Sequence, residues 1–165
     1  MEVYATSISS HPSHWLPCSV VFISTAHERQ YDIMTATAMF VSEKEPLIAV
    51  SLSKSHRTLE LIKISGFFTV VIASIYQKDL VLQLGSTRGD EVDKFGHFSI
   101  KTLTPVPGRP RVPADATAWL HCNVDSHHSI GEEHLVLGRV VDQKNLGNPS
   151  LVWHQKELFG LKPLQ

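Results

Sequence analysis

Apolar residues along this chain come in short runs separated by polar or turn-forming stretches. Residues 19–24, rich in Val, Phe and Ile, predict a first strand, and Ala26-His27-Glu28-Arg29-Gln30 suits a hairpin connection to a second over residues 31–40. The centre of that second run, Met34-Thr35-Ala36-Thr37-Ala38, carries small and hydroxyl side chains where a core strand normally places large β-branched ones. The strand is therefore expected to approach something closely. Residues 47–53 predict a third strand, which passes through the polar Lys54-Ser55-His56-Arg57 into a short helix over 58–64. Thr58 suits its N-cap, Glu60 the positive end of its dipole, and Gly66 its stop.

Residues 67–73 read as strand again. Helical spacing of Leu80, Val81 and Leu84 marks residues 76–84, Gly85-Ser86-Thr87-Arg88-Gly89 breaks it, and residues 90–95 predict a further brief helix. Pro105, Pro107, Pro110 and Pro113, with Gly108, impose a long connection that is neither helix nor central strand, of the kind that covers sites. Residues 117–125 then alternate Ala118, Leu120, Cys122 and Val124 on one face with Trp119, His121, Asn123 and Asp125 on the other. Residues 126–132 read as connection, 134–141 as the partner strand and 151–159 as a last one. Many short strands with only brief helices among them predict a mainly β, closed or nearly closed antiparallel barrel.

With 165 residues, 42% of them hydrophobic, the chain suits a single core. Lys and Arg number 15 against 16 Asp and Glu, a net charge of -1, so there is no cationic surplus for nucleic acid or an anionic membrane. Its apolar runs are far shorter than the ~20 residues that cross a bilayer. The first ten residues lack the basic start and apolar centre of a secretory signal, which makes the cytoplasm the expected address. Cys18 and Cys122 form no CxxC pair, and a buried thiol filling apolar space is the expectation for Cys122. Among the 10 histidines, His121, His127, His128 and His134 fall on two neighbouring strands and their connection. They lack an accompanying Cys or carboxylate at a diagnostic spacing, so no metal is expected. A serine hydrolase is excluded by the absence of a GxSxG elbow.

Read in order, several segments carry a resemblance. They are Met34-Thr35-Ala36-Thr37-Ala38-Met39-Phe40, residues 47–53 leading to Thr58-Leu59-Glu60-Leu61-Ile62, Gly66-Phe67-Phe68, and Gly85-Ser86 followed by Val92-Asp93-Lys94-Phe95. Leu103-Thr104-Pro105, His121-Cys122-Asn123-Val124, residues 131–140 and Leu151-Val152-Trp153-His154 through Gly160-Leu161 extend the match. In this order and spacing the chain resembles the flavin reductase-like family over nearly its whole length. The resemblance implies an FMN-binding split β-barrel with a few inserted helices, one domain over 1–165 with residues 1–14 as an extension.

FMN, with FAD as the alternative, needs an apolar slot for its ring, hydrogen-bonding groups along its polar edge and an anion site for its phosphate. The resemblance implies that Thr35, Ala36 and Thr37 meet the ring edge. Ser51, Ser53, Lys54, His56, Arg57 and Thr58, at a strand end and helix start, suit the phosphate, or equally a solvated basic turn with a helix cap. Family members commonly read Arg, any residue, Thr here, whereas His56 holds the Arg position with Arg57 beside it. Ser86 and Lys94, in a cluster with Arg88 and Asp93, are implied near the phosphate or ribityl chain, with Phe95 packed beneath.

Relatives carry Gly-Asp-His before the strand at 134, its histidine near the nicotinamide. Here Glu133 takes that place and His134 falls one residue later, on the opposite strand face unless a bulge intervenes. The activity implied is hydride transfer from NADH or NADPH to the flavin, with reduced flavin or its electrons passed to a partner monooxygenase or another acceptor. No catalytic side chain is then required. An electron carrier or flavin store without a productive nicotinamide site is the alternative. A homodimer is implied, with the proline-rich connection and residues 153–161 as contributors to the neighbouring site.

Overall fold

The computed structural model describes residues 11–165; the expected N-terminal extension lies mostly outside them. Eight strands are present: β1 (Cys18–His27), β2 (Gln30–Phe40), β3 (Leu47–Ser53), β4 (Phe67–Ile72), β5 (Ala118–Ile130), β6 (Glu133–Asn145), β7 (Leu151–His154) and β8 (Glu157–Gly160). Among the described residues three α-helices, α1 (Arg57–Ser65), α2 (Lys78–Gly85) and α3 (Lys94–His97), are inserted between these strands. The sheet runs β2-β3-β6-β5-β4-β1-β7-β8, and a further β1–β2 ladder closes its first six strands into an antiparallel barrel. The mainly β split barrel expected from the sequence is therefore the fold.

Alternation sorts the residues into two cores. Val21, Ile23, Met34, Val50, Leu52, Phe68, Val70, Cys122 and Val136 fill the barrel, with Leu59 and Ile62 of α1 packed among them. Burial pushes the Cys122 thiol up to about 12, as befits an inert filler. The opposite faces of β1, β2 and β4 contribute Val20, Phe22, Ile33 and Val71 to an outer core shared with Val81 and Leu84 of α2 and Phe95 of α3.

Several elements differ from expectation, each for a local reason. His56, not Thr58, occupies the N-cap of α1, because the Thr58 hydroxyl donates to the Asp32 carboxylate. Gly66 closes the helix at φ 75, as its glycine predicts. The helix expected over 90–95 begins only at Lys94, where the Asp93 carboxylate caps the Phe95 N–H. Residues 126–130 continue β5, and Gly131 and Glu132 alone make the turn. The strand expected over 151–159 is a hairpin turning on Gln155 and Lys156, both at positive φ as a type I′ turn demands.

The proline-rich connection lies over Trp119 and His121 on the outside of β5. His121 is buried, its Nδ1 2.5 Å from the Thr69 hydroxyl. Burial, reinforced by the Arg109 cation and opposed by Asp142, holds its pKa below the ordinary histidine value. The unfolded chain therefore takes up this proton more readily. The contribution of His121 to stability is complete above about pH 6.5 and is lost as pH falls through the folded value. In melting curves from about pH 7 down to pH 5, His121→Gln is expected to lose less stability than the wild type; equal losses would refute the assignment.

Candidate flavin site

β2 pairs with β1 over residues 30–38 but with β3 only through Ala38, Met39 and Phe40. Below that point β2 and β3 share no ladder, and the chain from β3 into α1 closes over a recess. This polar recess, of about 170 Å³, is lined by Asp32 and Thr35 of β2, by Ser55, His56, Arg57 and Thr58 at the start of α1, and by residues 84–90 and Lys94. No side chain caps α1, so its first turn opens here with its positive dipole end. The His56 Nδ1 is buried without a hydrogen-bond partner among the described residues.

Three cations stand in this recess, and their pairing differs. Arg88 binds Asp90 at 3.2 Å, and Lys94, almost wholly buried, lies 3.2 Å from Asp32 and donates to the Ile33 carbonyl at 2.7 Å. Arg57 is held at 2.9 Å by the neutral amide of Gln30 and forms no ion pair within bridge distance among the described residues. Its charge also acts at longer range on the Asp90 carboxylate, and it is the one of the three cations outside a salt bridge.

An apolar recess of about 450 Å³ adjoins the polar one through Thr35, Gly85 and Ser86. Val20, Ala36, Val81, Leu82, Trp153 and Leu158 wall it. Thr35 is fixed between the two by its hydroxyl, which donates to the Val81 carbonyl at 2.7 Å.

Of the residues singled out from sequence, Thr35, Ala36, Thr37, His56, Arg57, Thr58, Ser86 and Lys94 line one recess or both. Ser51, Ser53 and Lys54 line neither and stand at the end of β3 beside β6. There the Ser51 hydroxyl donates to Glu133 at 3.2 Å, the Ser53 hydroxyl lies 3.1 Å from that of Ser55, and the Lys54 N–H donates to the Glu132 carbonyl. The β3–β6 ladder runs without a slip from Glu133 to Arg139, so no bulge rotates His134 outward. Glu133 shares the outer face with Ser51. His134, opposite Leu52, faces the barrel side, its Nε2 3.0 Å from Nδ1 of His127. Burial, then the nearby Lys63, lowers its pKa. Among the described residues no group of three or more His, Cys, Asp and Glu is placed to hold a metal ion.

Sequence reasoning missed Asp32, Gln30 and Gly89. A charged residue between Tyr31 and Ile33 in an apolar run was the available signal for Asp32. It also missed Trp153 as a wall of the recess within its own chain.

A family model described as the flavin reductase like domain matches residues 13–162. The chain belongs to the flavin reductase-like family. It is 33% identical over 116 residues to the uncharacterized protein YddH of Escherichia coli, a match covering 69% of this chain and 61% of that protein. The chain spans about three fifths of the length of the curated relatives it matches, 61% and 56%. Among solved structures, flavin reductase PheA2 in its native state superposes with a TM-score of 0.74 at 26% identity, covering 90% of this chain and 92% of that one. An FMN-binding protein from Thermus thermophilus reaches 0.80 at 24% identity over 97% and 96%, a likeness of fold.

The residues of this flavin reductase-like chain fit a flavin on physical grounds. An uncapped helix start beside an arginine outside any salt bridge among the described residues suits a phosphate, and an apolar recess joined to it by Thr35 and Ser86 suits a planar ring.

Proposed function

We propose that this chain binds a flavin, FMN before FAD, in the two joined recesses and uses it to take a hydride from NADH or NADPH. The observation that carries the reading is the junction itself. The start of α1 and Arg57 make one end anionophilic, Val20, Val81, Leu82 and Trp153 make the other apolar, and Thr35 and Ser86 belong to both. A bound flavin would supply the redox chemistry, a two-electron acceptor for a nicotinamide hydride. The chain supplies position: the N–H groups of the α1 first turn and Arg57 hold the phosphate, and the β2 edge without a β3 partner offers backbone groups to the ring. The reading includes a homodimer, which would cover Met39, Phe40 and Val41, exposed at the end of β2, and a partner monooxygenase or other acceptor for the electrons.

Glu133 supports a second reading, an electron carrier or flavin store. Its carboxylate stands on the outer face where relatives carry a histidine, and a negative group there disfavours an anionic donor. One experiment separates the two. The purified protein is titrated with FMN while its visible spectrum is followed, then mixed anaerobically with NADH or NADPH. Flavin absorbance that appears and bleaches within seconds is expected for the reductase. Bound flavin that stays oxidised would favour the carrier, and a protein that takes up no flavin would end both readings.

A further inference from the structure

Asp32 lies in β2 at the floor of the polar recess, 3% exposed. A carboxylate beside a phosphate opposes binding by simple charge. Both of its oxygens are engaged within the fold. Oδ1 is 3.2 Å from Nζ of Lys94, and Oδ2 accepts the Thr58 hydroxyl at 2.5 Å. From a third side the loop before α3 presses onto the same group: a Cβ on Gly89 would lie 2.4 Å from Oδ1 and 2.7 Å from Cγ. One buried side chain thus ties the first turn of α1, the start of α3 and the loop at 89 to β2.

We infer that Asp32 is a positioning residue for the phosphate end of the flavin site, acting through Thr58, Lys94 and Gly89. The inference rests on the flavin reading above. Thr58 belongs to the helix turn whose N–H groups face the recess, and Gly89 sets how closely the opposite wall approaches. Without the carboxylate, Thr58 and Lys94 lose a shared partner and the loop loses its support, so the cradle opens. Charge alone and positioning therefore make opposite forecasts. Removing a negative group should strengthen phosphate binding by charge, and should weaken it if Asp32 holds the cradle.

The test compares dissociation constants for FMN and riboflavin, which differ by the phosphate, in wild type, Asp32→Asn and Gly89→Ala, at a temperature well below each melting point. Gly89→Ala keeps every charge and serves if Asp32→Asn does not fold with Lys94 left unpaired. Each variant is expected to bind FMN about tenfold more weakly while riboflavin binding holds. FMN binding that is unchanged or stronger would overturn the inference, and so would an equal loss for both flavins, the mark of a merely structural role. Should the wild type bind neither flavin, the flavin reading fails by itself. Inorganic phosphate then decides on Asp32: it should raise the melting temperature of wild type but not of Asp32→Asn, and no effect on wild type would overturn the inference.

Discussion

Replacing Gly138 with alanine is expected to destabilise the protein by about 1 to 3 kcal/mol. Gly138 lies in β6 between Ile48 of β3 and Val124 of β5, where the two ladders meet on the barrel wall. A Cβ there would lie 2.5 Å from Cζ of Phe68 and 2.8 Å from Cβ of Cys122. Both neighbours are 1% exposed and sit inside the barrel core, so neither can yield without displacing a strand. A melting temperature lower by several degrees is the expected reading. Gly85→Ala is the control, because its Cβ would come no nearer than 4.0 Å to Thr35 and should leave stability almost unchanged. A variant at 138 as stable as the control would show that Phe68 does not fill the barrel at that level.

The barrel was legible because its strands are short apolar runs bounded by turn signals, with β1 and β4 buried on both faces. Such runs were enough to mark the strands, while the pleat then sends Val21, Ile23, Val50, Leu52, Phe68 and Val70 to one core and their neighbours to the other. An apolar run is missing where both faces of a strand meet water. Residues 126–130 carry Ser and His on an arm that extends beyond the core, so their strand character comes from pairing with β6 and leaves no mark in hydropathy. The turn at Gln155 and Lys156 was hidden for a related reason: neither residue is the Asn or Gly that advertises positive φ, and the register of β7 on β8 imposes it. At α1, Thr58 has the chemistry of a cap, but Asp32, distant in sequence, draws its hydroxyl into the first turn.

The site was legible as a set of types but not as a partition. Thr35, Arg57, Thr58 and Ser86 came from motifs that local sequence can hold. Their separation from Ser51 and Ser53 depends on where β2 leaves β3, which is a fact of the sheet and not of either strand. Which cation is available was also unreadable. Arg88 and Lys94 look like anion ligands in sequence, and only the folded chain shows each of them beside a carboxylate. The face taken by Glu133 needed the register of β3 on β6, because one slipped residue would have exchanged it with His134.

Arg57 is the side chain expected to matter most for the phosphate, and Arg57→Gln is expected to weaken FMN binding about ten- to a hundredfold while riboflavin binding holds. The reason is electrostatic accounting within the recess. Asp90 accompanies Arg88 and Asp32 accompanies Lys94, so those pairs bring little net charge to a dianion. Arg57 is held by the neutral Gln30 amide and meets Asp90 only at longer range, so its guanidinium is oriented and less compensated than the other two, at the turn where α1 presents its dipole. Arg57→Lys should recover only part of the loss, since an ammonium cannot bridge the amide and a phosphate with the geometry of a planar fork. Raising the salt concentration should weaken FMN binding in wild type more than in Arg57→Gln. If FMN and riboflavin lose affinity together in Arg57→Gln, the residue acts through Gln30 on the fold of β2, and the anion must be met by the helix start alone.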